Sequence, residues 1–410
     1  MAKFTDVSLI AQALFAQATG ADEVDTIDLS ETYSIGNTLS SLETLDNDII
    51  YGALIDRIGK TVIANRLYKN KFDFLAYDEF EYGYILQNIE VDLFEARTSG
   101  KYYNGTDADA DLYAIFNPTI HVTLFKNSQA WEFAVTITEK QLKSAFLSAE
   151  ALAAFINGIY IAMDSSVTKS LENAARALLM AYMGELFVAQ ATADNASETR
   201  INAVNLAQVY YDETGEEVTI SSAWYDAAFL RWCTSYFLDI KKMLGNMTVL
   251  FSPAGANKFT EEEYLRFIIN SKFANNIKRF MQSDVFNKEL VNMTGVYREV
   301  DYWQAESPSI ADRTTIDAKL VSGATVEGEF VNNEVKKSNV IGVMYDRYAI
   351  GMTLMERDTV AVPNPHRHRT NVFEQAAIGN FVNLRENGVV FYLDTVTKAE
   401  EPAEDAGGLS

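Results

Sequence analysis

The stretch AEALAAFINGIYIAMDSSVTKSLENAARALLMAYM, residues 149–183, decides the fold. Within it Leu152, Ile156, Ile159, Met163, Val167, Leu171, Ala174, Leu178 and Tyr182 follow one another at gaps of three or four residues, which lines up one face of an α-helix. Ser148 stands just before it, a residue type that caps helix N-termini by accepting a backbone N–H. A continuous helix over these 35 residues runs about 52 Å, longer than an ordinary domain helix. Helices gain most of their stability from packing an apolar face, so a rod of this length needs a layer to lie on and reads as a structural strut.

On the N-terminal side, residues 68–96 are rich in Phe, Tyr, Ile, Val and Leu and partly alternate, as in Ile85, Ile89, Val91 and Leu93. Residues 113–136 alternate again through Ile120, Val122 and Leu124. Period-two alternation predicts two long strands facing each other. Between them, Thr98-Ser99-Gly100, Asn104-Gly105-Thr106 and the acidic run to Asp111 predict a hairpin tip that cannot order itself. Earlier still, Val7, Ile10, Ala11, Leu14, Phe15 and Ala18 form one helical face, interrupted by Asp6, Gln12 and Gln17 in a way that excludes a signal peptide. The acidic stretch Asp22, Glu23, Asp25, Asp28 and Glu31 then reads as part of an arm.

On the C-terminal side the pattern is mixed. Amphipathic spacing predicts helices over Ser222–Leu244 and Glu261–Met281, with a short apolar strand Met247–Phe251 between them closed by Ser252-Pro253. Val340–Tyr345 reads as a strand. Asn371–Leu384 and Val389–Leu393 are expected to pair with each other through Glu386-Asn387-Gly388, because Asn-Gly favours a tight hairpin turn. Lys398–Ser410 is acidic and poor in apolar residues, hence a disordered tail.

With 410 residues, 48% hydrophobic, 22% charged, and only 21 Gly and 6 Pro, the chain has the composition of two or three folded units. Its formal net charge of −23 repels a nucleic-acid backbone and argues against a sequence-reading DNA binder. Cys233 stands alone, which excludes an intramolecular disulfide and suggests a small buried apolar residue. The best uncharged run, Ala151–Met163, is well short of the ~20 residues that cross a bilayer, so no membrane association is expected.

Motifs that carry chemistry are incomplete. Gly59-Lys60-Thr61 ends like a phosphate-binding loop, but Leu54 occupies the place of the first glycine, so Gly59 is read as a helix cap. Asp107, Asp109 and Asp111 have the spacing of a calcium loop, yet Leu112 replaces its glycine and Pro118 its closing glutamate. His366-Arg367-His368-Arg369, after Pro363-Asn364-Pro365, is a dense basic cluster in an acidic chain; two histidines without a third ligand suit a rigid loop offering Arg to a carboxylate better than a metal. The remaining histidine, His121, lies on an expected strand. No residue is assigned a catalytic, cofactor-binding or metal role, no cofactor is implied, and the chain is not expected to be an enzyme.

The order of parts resembles the major capsid proteins of tailed bacteriophages, with the Hong Kong ninety-seven-like fold. Leu54-Ile55-Asp56-Arg57-Ile58-Gly59, Leu142-Lys143-Ser144-Ala145-Phe146, Met344-Tyr345-Asp346-Arg347 and Asn364-Pro365 followed by Arg367 are similar to segments of small podovirus, phi29-like head proteins. The resemblance implies an α+β phage major capsid fold. Its parts would be an N-terminal arm and linker (1–67), an extended β-hairpin loop (68–136) and a peripheral domain with the spine helix (137–183). A mixed axial domain (184–345), a C-terminal β segment returning to the peripheral domain (346–395) and an acidic tail (396–410) complete it. Phi29-like head proteins carry a further immunoglobulin-like domain, whereas only a short polar stretch follows Leu393 here, so no role of that domain is carried over.

By the same resemblance the chain is a virion protein, present in host cytoplasm during assembly. Its partners would be copies of itself in pentamers and hexamers, scaffolding and portal proteins, and packaged double-stranded DNA touched non-specifically. The rival readings are an encapsulin-like shell and a soluble α+β enzyme using paired carboxylates.

Overall fold

A computed structural model describes residues 70–76, 86–94, 115–125, 127–138, 149–281, 296–305, 309–320 and 334–398. The N-terminal helix and arm, Gly59–Thr61, Ser148, the tip 98–111 with Asp107, Asp109 and Asp111, and residues 399–410 lie outside them. The chain divides into two units: Met1–Tyr84 with Lys126–Ala175 and Met352–Asn380, and Ile85–Phe125 with Arg176–Gly351 and Phe381–Ser410.

The helix read from residues 149–183 exists and continues, as α1, over Ala149–Asn195, 47 residues. The sequence stripe stops at Tyr182 because beyond it the apolar residues surround the helix instead of lining one face. Met183, Leu186, Phe187 and Val188 are all buried, and packing on every side carries the helix past Gly184. It stops where Ser197 takes a left-handed conformation, φ 55°, and Glu198 N donates to Ala193 O at 2.8 Å.

In the first unit, β3 (Asn127–Thr138), β10 (Ile350–Asn364) and β11 (Arg369–Val382) form an antiparallel sheet in the order β10-β11-β3, whose end residues Ile350, Gly351, Phe381 and Val382 count with the second unit. The β3–β11 register runs from Arg369 opposite Thr138 to Asn380 opposite Asn127. Residues 127–136 thus belong to this sheet and not to the hairpin into which the sequence placed them. Beneath it Arg357 pairs with the buried Glu374, Nε to Oε1 at 2.5 Å, and lies 3.6 Å from Asp164 of α1.

The second unit is built on a five-stranded sheet, in order β4 (Ala203–Asn205), β12 (Gly388–Tyr392), β9 (Val340–Asp346), β5 (Leu265–Asn270) and β6 (Val296–Val300). Helices α2 (Leu206–Thr214), α3 (Ile220–Ala223), α4 (Ala227–Leu244) and α5 (Ser271–Met281), with β7 (Ile316–Lys319) paired to β8 (Glu334–Lys337), also belong to this unit. Phe237 of α4 is the hub of the core, with ring centroids 5.2 Å from Phe267 and 4.8 Å from Phe391. Cys233 is buried on the same helix and burial pushes its thiol pKa up, so it serves as packing.

Three expectations are corrected here. Glu261–Met281 is not one helix: Leu265–Asn270 is a central strand with every residue buried, and Asn270 Oδ1 then accepts Lys272 N at 3.0 Å to start α5. A short apolar run covered on both faces has no period with which to declare itself a strand. Met247–Phe251 forms no strand, only an isolated bridge from Thr248 to Lys258.

The third correction concerns Asn387-Gly388, which makes no hairpin turn between β11 and β12. β12 instead pairs antiparallel with β9 and parallel with β4, in the other unit's sheet. Gly388 is needed for room: a Cβ there stands 2.0 Å from Tyr182 Oη. Val396–Lys398, read as the start of the tail, are tied to α2 by Thr397 N donating to Gln208 Oε1 at 2.7 Å, and Lys398 pairs with Glu217 at 2.8 Å. Among the described residues no helix is long and apolar enough to cross a membrane.

Candidate functional site

Two strands of the second unit, β1 (Leu86–Val91) and β2 (Ile120–Phe125), form an antiparallel ribbon that pairs with no third strand among the described residues. This is the pairing that the alternation of Ile89, Val91, Ile120, Val122 and Leu124 predicts, shortened to six residues a side. Its two faces are the reverse of a usual half-buried sheet. The apolar side chains face solvent: Ile89 is 60% exposed opposite Val122 at 53%, and Val91 lies opposite Ile120. Leu93, Phe94, Ile115 and Phe116 next to the ribbon are exposed as well. Isolated surface apolar residues need no explanation, but a cross-strand patch of this kind marks an interaction surface.

The polar face turns inward onto charged groups. Arg385, in the turn before β12, donates from Nε to Glu90 Oε2 at 2.8 Å and from Nη2 to Asp92 Oδ1 at 2.6 Å. Lys258 Nζ lies 3.2 Å from Glu90 and 2.8 Å from Glu386, and His121 Nε2 is 2.7 Å from Asp92 Oδ2. The cations are held from behind. Ser252 Oγ donates to the Arg385 carbonyl at 2.9 Å, Arg385 N donates to Asn383 Oδ1 at 3.1 Å, and Thr248 fixes the Lys258 backbone. Between ribbon and unit runs a cleft of about 660 Å³, which Glu261, Tyr264, Asp346 and Tyr348 also line.

Environment sorts these carboxylates into two classes. Burial opposes ionisation of Glu90, but Arg385 and Lys258 outweigh it and hold the carboxyl below its ordinary value. Contact with His121, then with Arg385, holds Asp92 low against slight desolvation. Burial pushes Glu386 and Asp346 up despite Lys258 nearby. Burial works to discharge Lys258 and Arg385, and their carboxylate partners more than compensate.

A depressed folded-state pKa stabilises above the unfolded value and loses that contribution as pH falls through the folded one. The Glu90 and Asp92 contacts therefore persist until pH drops below the ordinary carboxylate range, while Glu386 and Asp346 take up protons earlier and favour the folded state as they do. Melting the subunit across acid pH should show a steep loss of stability below that range, and the Glu90→Gln/Asp92→Asn variant should lack much of it. An identical acid limb in both proteins would mean that these contacts carry no stability.

The basic cluster belongs to the first unit, at the turn from β10 to β11. Pro365–Arg367 make a single 3-10 turn whose Asn364 Oδ1 accepts Arg367 N at 3.2 Å, and His368 is left-handed with φ 47°. His366, Arg367 and His368 are exposed, and Val360 and Val362 are exposed on the strand leading to them. Among the described residues no group of three or more His, Cys, Asp or Glu is placed to hold a metal. Sequence reasoning singled out His121 and the basic turn, but missed Glu90, Asp92, Lys258 and Arg385. The available signal was the second phase of the same alternation, which puts Asn88, Glu90 and Asp92 together on the opposite face from Ile89 and Val91.

The family model described as Phi29-like phage major capsid protein matches residues 11–392. A major capsid protein of Bacillus phage GA-1 is 27% identical over 133 residues, 32% of this chain and 27% of that protein. One of Streptococcus phage Cp-1 is 23% identical over 248 residues, 58% of this chain and 60% of that protein. The matches thus span less than two thirds of either relative. Among solved structures, a chain from the capsid of Staphylococcus phage Andhra is similar in fold, with TM-score 0.51 and 8% identity over 79% of this chain and 84% of that one.

Proposed function

The chain belongs to the Phi29-like phage major capsid protein family, and from that premise we propose that many copies of it assemble into a phage head shell that encloses double-stranded DNA. The observation that carries this reading is the ribbon's exposed apolar face: Ile89, Val91, Ile120, Val122 and Leu124 remain in water in the subunit, and a neighbouring copy supplies the cover. A family and fold of structural proteins fit a chain whose charged cluster ties a surface element down instead of framing a reaction site.

Several finer assignments belong to the same proposal. The ribbon forms the base of an extended loop, the unit containing β5, β9 and β12 supplies the axial part, and the β3-β10-β11 sheet with the first part of α1 supplies the peripheral part. Rings of five and six copies, scaffolding and portal partners, and a site of assembly in host cytoplasm follow from that role. The net charge of −23 favours a lumen that does not trap the DNA backbone.

The test is particle formation. Expressed alone or with its scaffold, the chain should give hollow particles in negative stain and sediment as assemblies of hundreds of subunits. A protein that stays monomeric or dimeric under both conditions overturns the reading.

The basic turn supplies a second, smaller expectation. Charge reversal at an exposed interface adds repulsion at every symmetry copy while leaving the fold alone. Arg367→Glu should therefore lower particle yield several-fold with an unchanged melting temperature; normal yield would leave the turn as ordinary exposed surface.

A further inference from the structure

The ribbon's attachment is unusual for an element of a folded unit. None of its backbone groups bonds to another described strand, and a lone two-stranded ribbon is marginal in water. Nor does it bury an apolar face, because that face points outward. Among the described residues, side-chain contacts hold it at its two opposite ends, and Asn383 Nδ2 also donates to Glu90 Oε1 at 3.4 Å. At the end where the strands enter and leave, Phe125 packs on Phe381 with ring centroids 5.6 Å apart. At the far end, Glu90 and Asp92 meet Arg385 and Lys258 across the cleft.

We propose that the β1–β2 ribbon is a hinged flap, pivoting at Phe125 on Phe381 and latched at its far end by Glu90 and Asp92 on Arg385 and Lys258. The contrast between the two ends is physical. Apolar contact tolerates rotation, since it is non-directional. Charge-assisted hydrogen bonds demand fixed geometry, so they either hold or break. The latch's cations belong to backbone that is itself tied down, whereas its carboxylates ride on the ribbon, so opening moves one side alone. Both Glu90 and Asp92 would then be solvated, and the apolar face would be free to meet a surface at another angle. This device is a property of the single subunit and stands whether or not the subunit builds a shell.

Hydrogen–deuterium exchange of the full-length chain, held as dispersed subunits at low concentration, tests it. In Arg385→Gln, the amides of Leu86–Val91 and Ile120–Phe125 should exchange at least tenfold faster than in the unaltered chain, while α4 and β9 keep their rates. Glu90→Gln/Asp92→Asn alters only the ribbon side and should reproduce the effect should Arg385→Gln fold poorly. Combining all three changes should add little, because both variants break one interaction. Unchanged ribbon exchange in the Glu90→Gln/Asp92→Asn variant, or acceleration spread equally over α4 and β9, would overturn the latch. Acceleration confined to the ribbon in both variants but fully additive in their combination would overturn it too, since the carboxylates and Arg385 would then act separately.

Discussion

Aspartate at both Ile89 and Val122 is expected to abolish particle formation while leaving a folded subunit. The two side chains face each other across the ribbon and are more than half exposed, so nothing in the core loses a contact. At an interface each forfeits part of the ~1.5–3 kcal/mol that full burial of such a side chain contributes, and each carboxylate adds a desolvation cost. About 2–4 kcal/mol lost at one contact raises its dissociation constant roughly 30- to 1000-fold. Since every subunit in a shell makes several such contacts at once, the threshold concentration for assembly rises more steeply than any single contact weakens. Sedimentation and negative stain give the assembly readout, and circular dichroism with a thermal melt confirms the fold. Wild-type particle yield from the double variant would exclude the ribbon's outer face as an intersubunit surface.

The second large effect lies inside the unit. Alanine at Gly342 puts a Cβ 2.6 Å from the Ile268 carbonyl oxygen, and alanine at Gly388 puts one 2.0 Å from Tyr182 Oη. Each should cost about 3 kcal/mol, at the upper end of what overpacking does, and appear as a melting point lowered by several degrees or as loss of soluble protein. The two should differ in repair. Tyr182→Phe removes the obstructing oxygen and should restore much of the stability of Gly388→Ala. No side-chain change relieves Gly342→Ala, because its obstacle is the backbone of β5. Equal rescue of both, or of neither, would contradict this account of why Asn387-Gly388 is not a turn.

The Asn-Gly pair also shows where local rules yield. In isolation it favours a hairpin, yet Asn387 Nδ2 donates to Thr260 Oγ1 and its carbonyl accepts Asp346 N, which draws the segment into another sheet. Those partners lie more than forty residues away in the chain, beyond any turn propensity. The candidate site divides in the same manner. Alternation in residues 86–91 and 120–125 was enough to pair the strands, because period two is a property of the strand itself. Which phase faces inward was not legible, since the usual preference of apolar residues for the interior is reversed here by Arg385, 293 residues from Asp92.

By itself, then, the sequence determined the elements whose signals are local and repeated: the stripe of α1 through Tyr182, the ribbon's alternation, the strand at Val340–Tyr345, and an acidic composition with no complete catalytic motif. The tertiary structure alone decided where periodicity is silent or double-valued. It carried α1 past Tyr182 by burying residues 183–188 all round, made Leu265–Asn270 a strand by placing β9 and β6 on either side, and sent β12 away from β11. It also turned the ribbon's apolar face to solvent by giving its carboxylates two fixed cations. The physical reason is common to these cases: period and propensity report what one segment can form, whereas the choice among permitted forms is set by contacts between segments far apart in the chain.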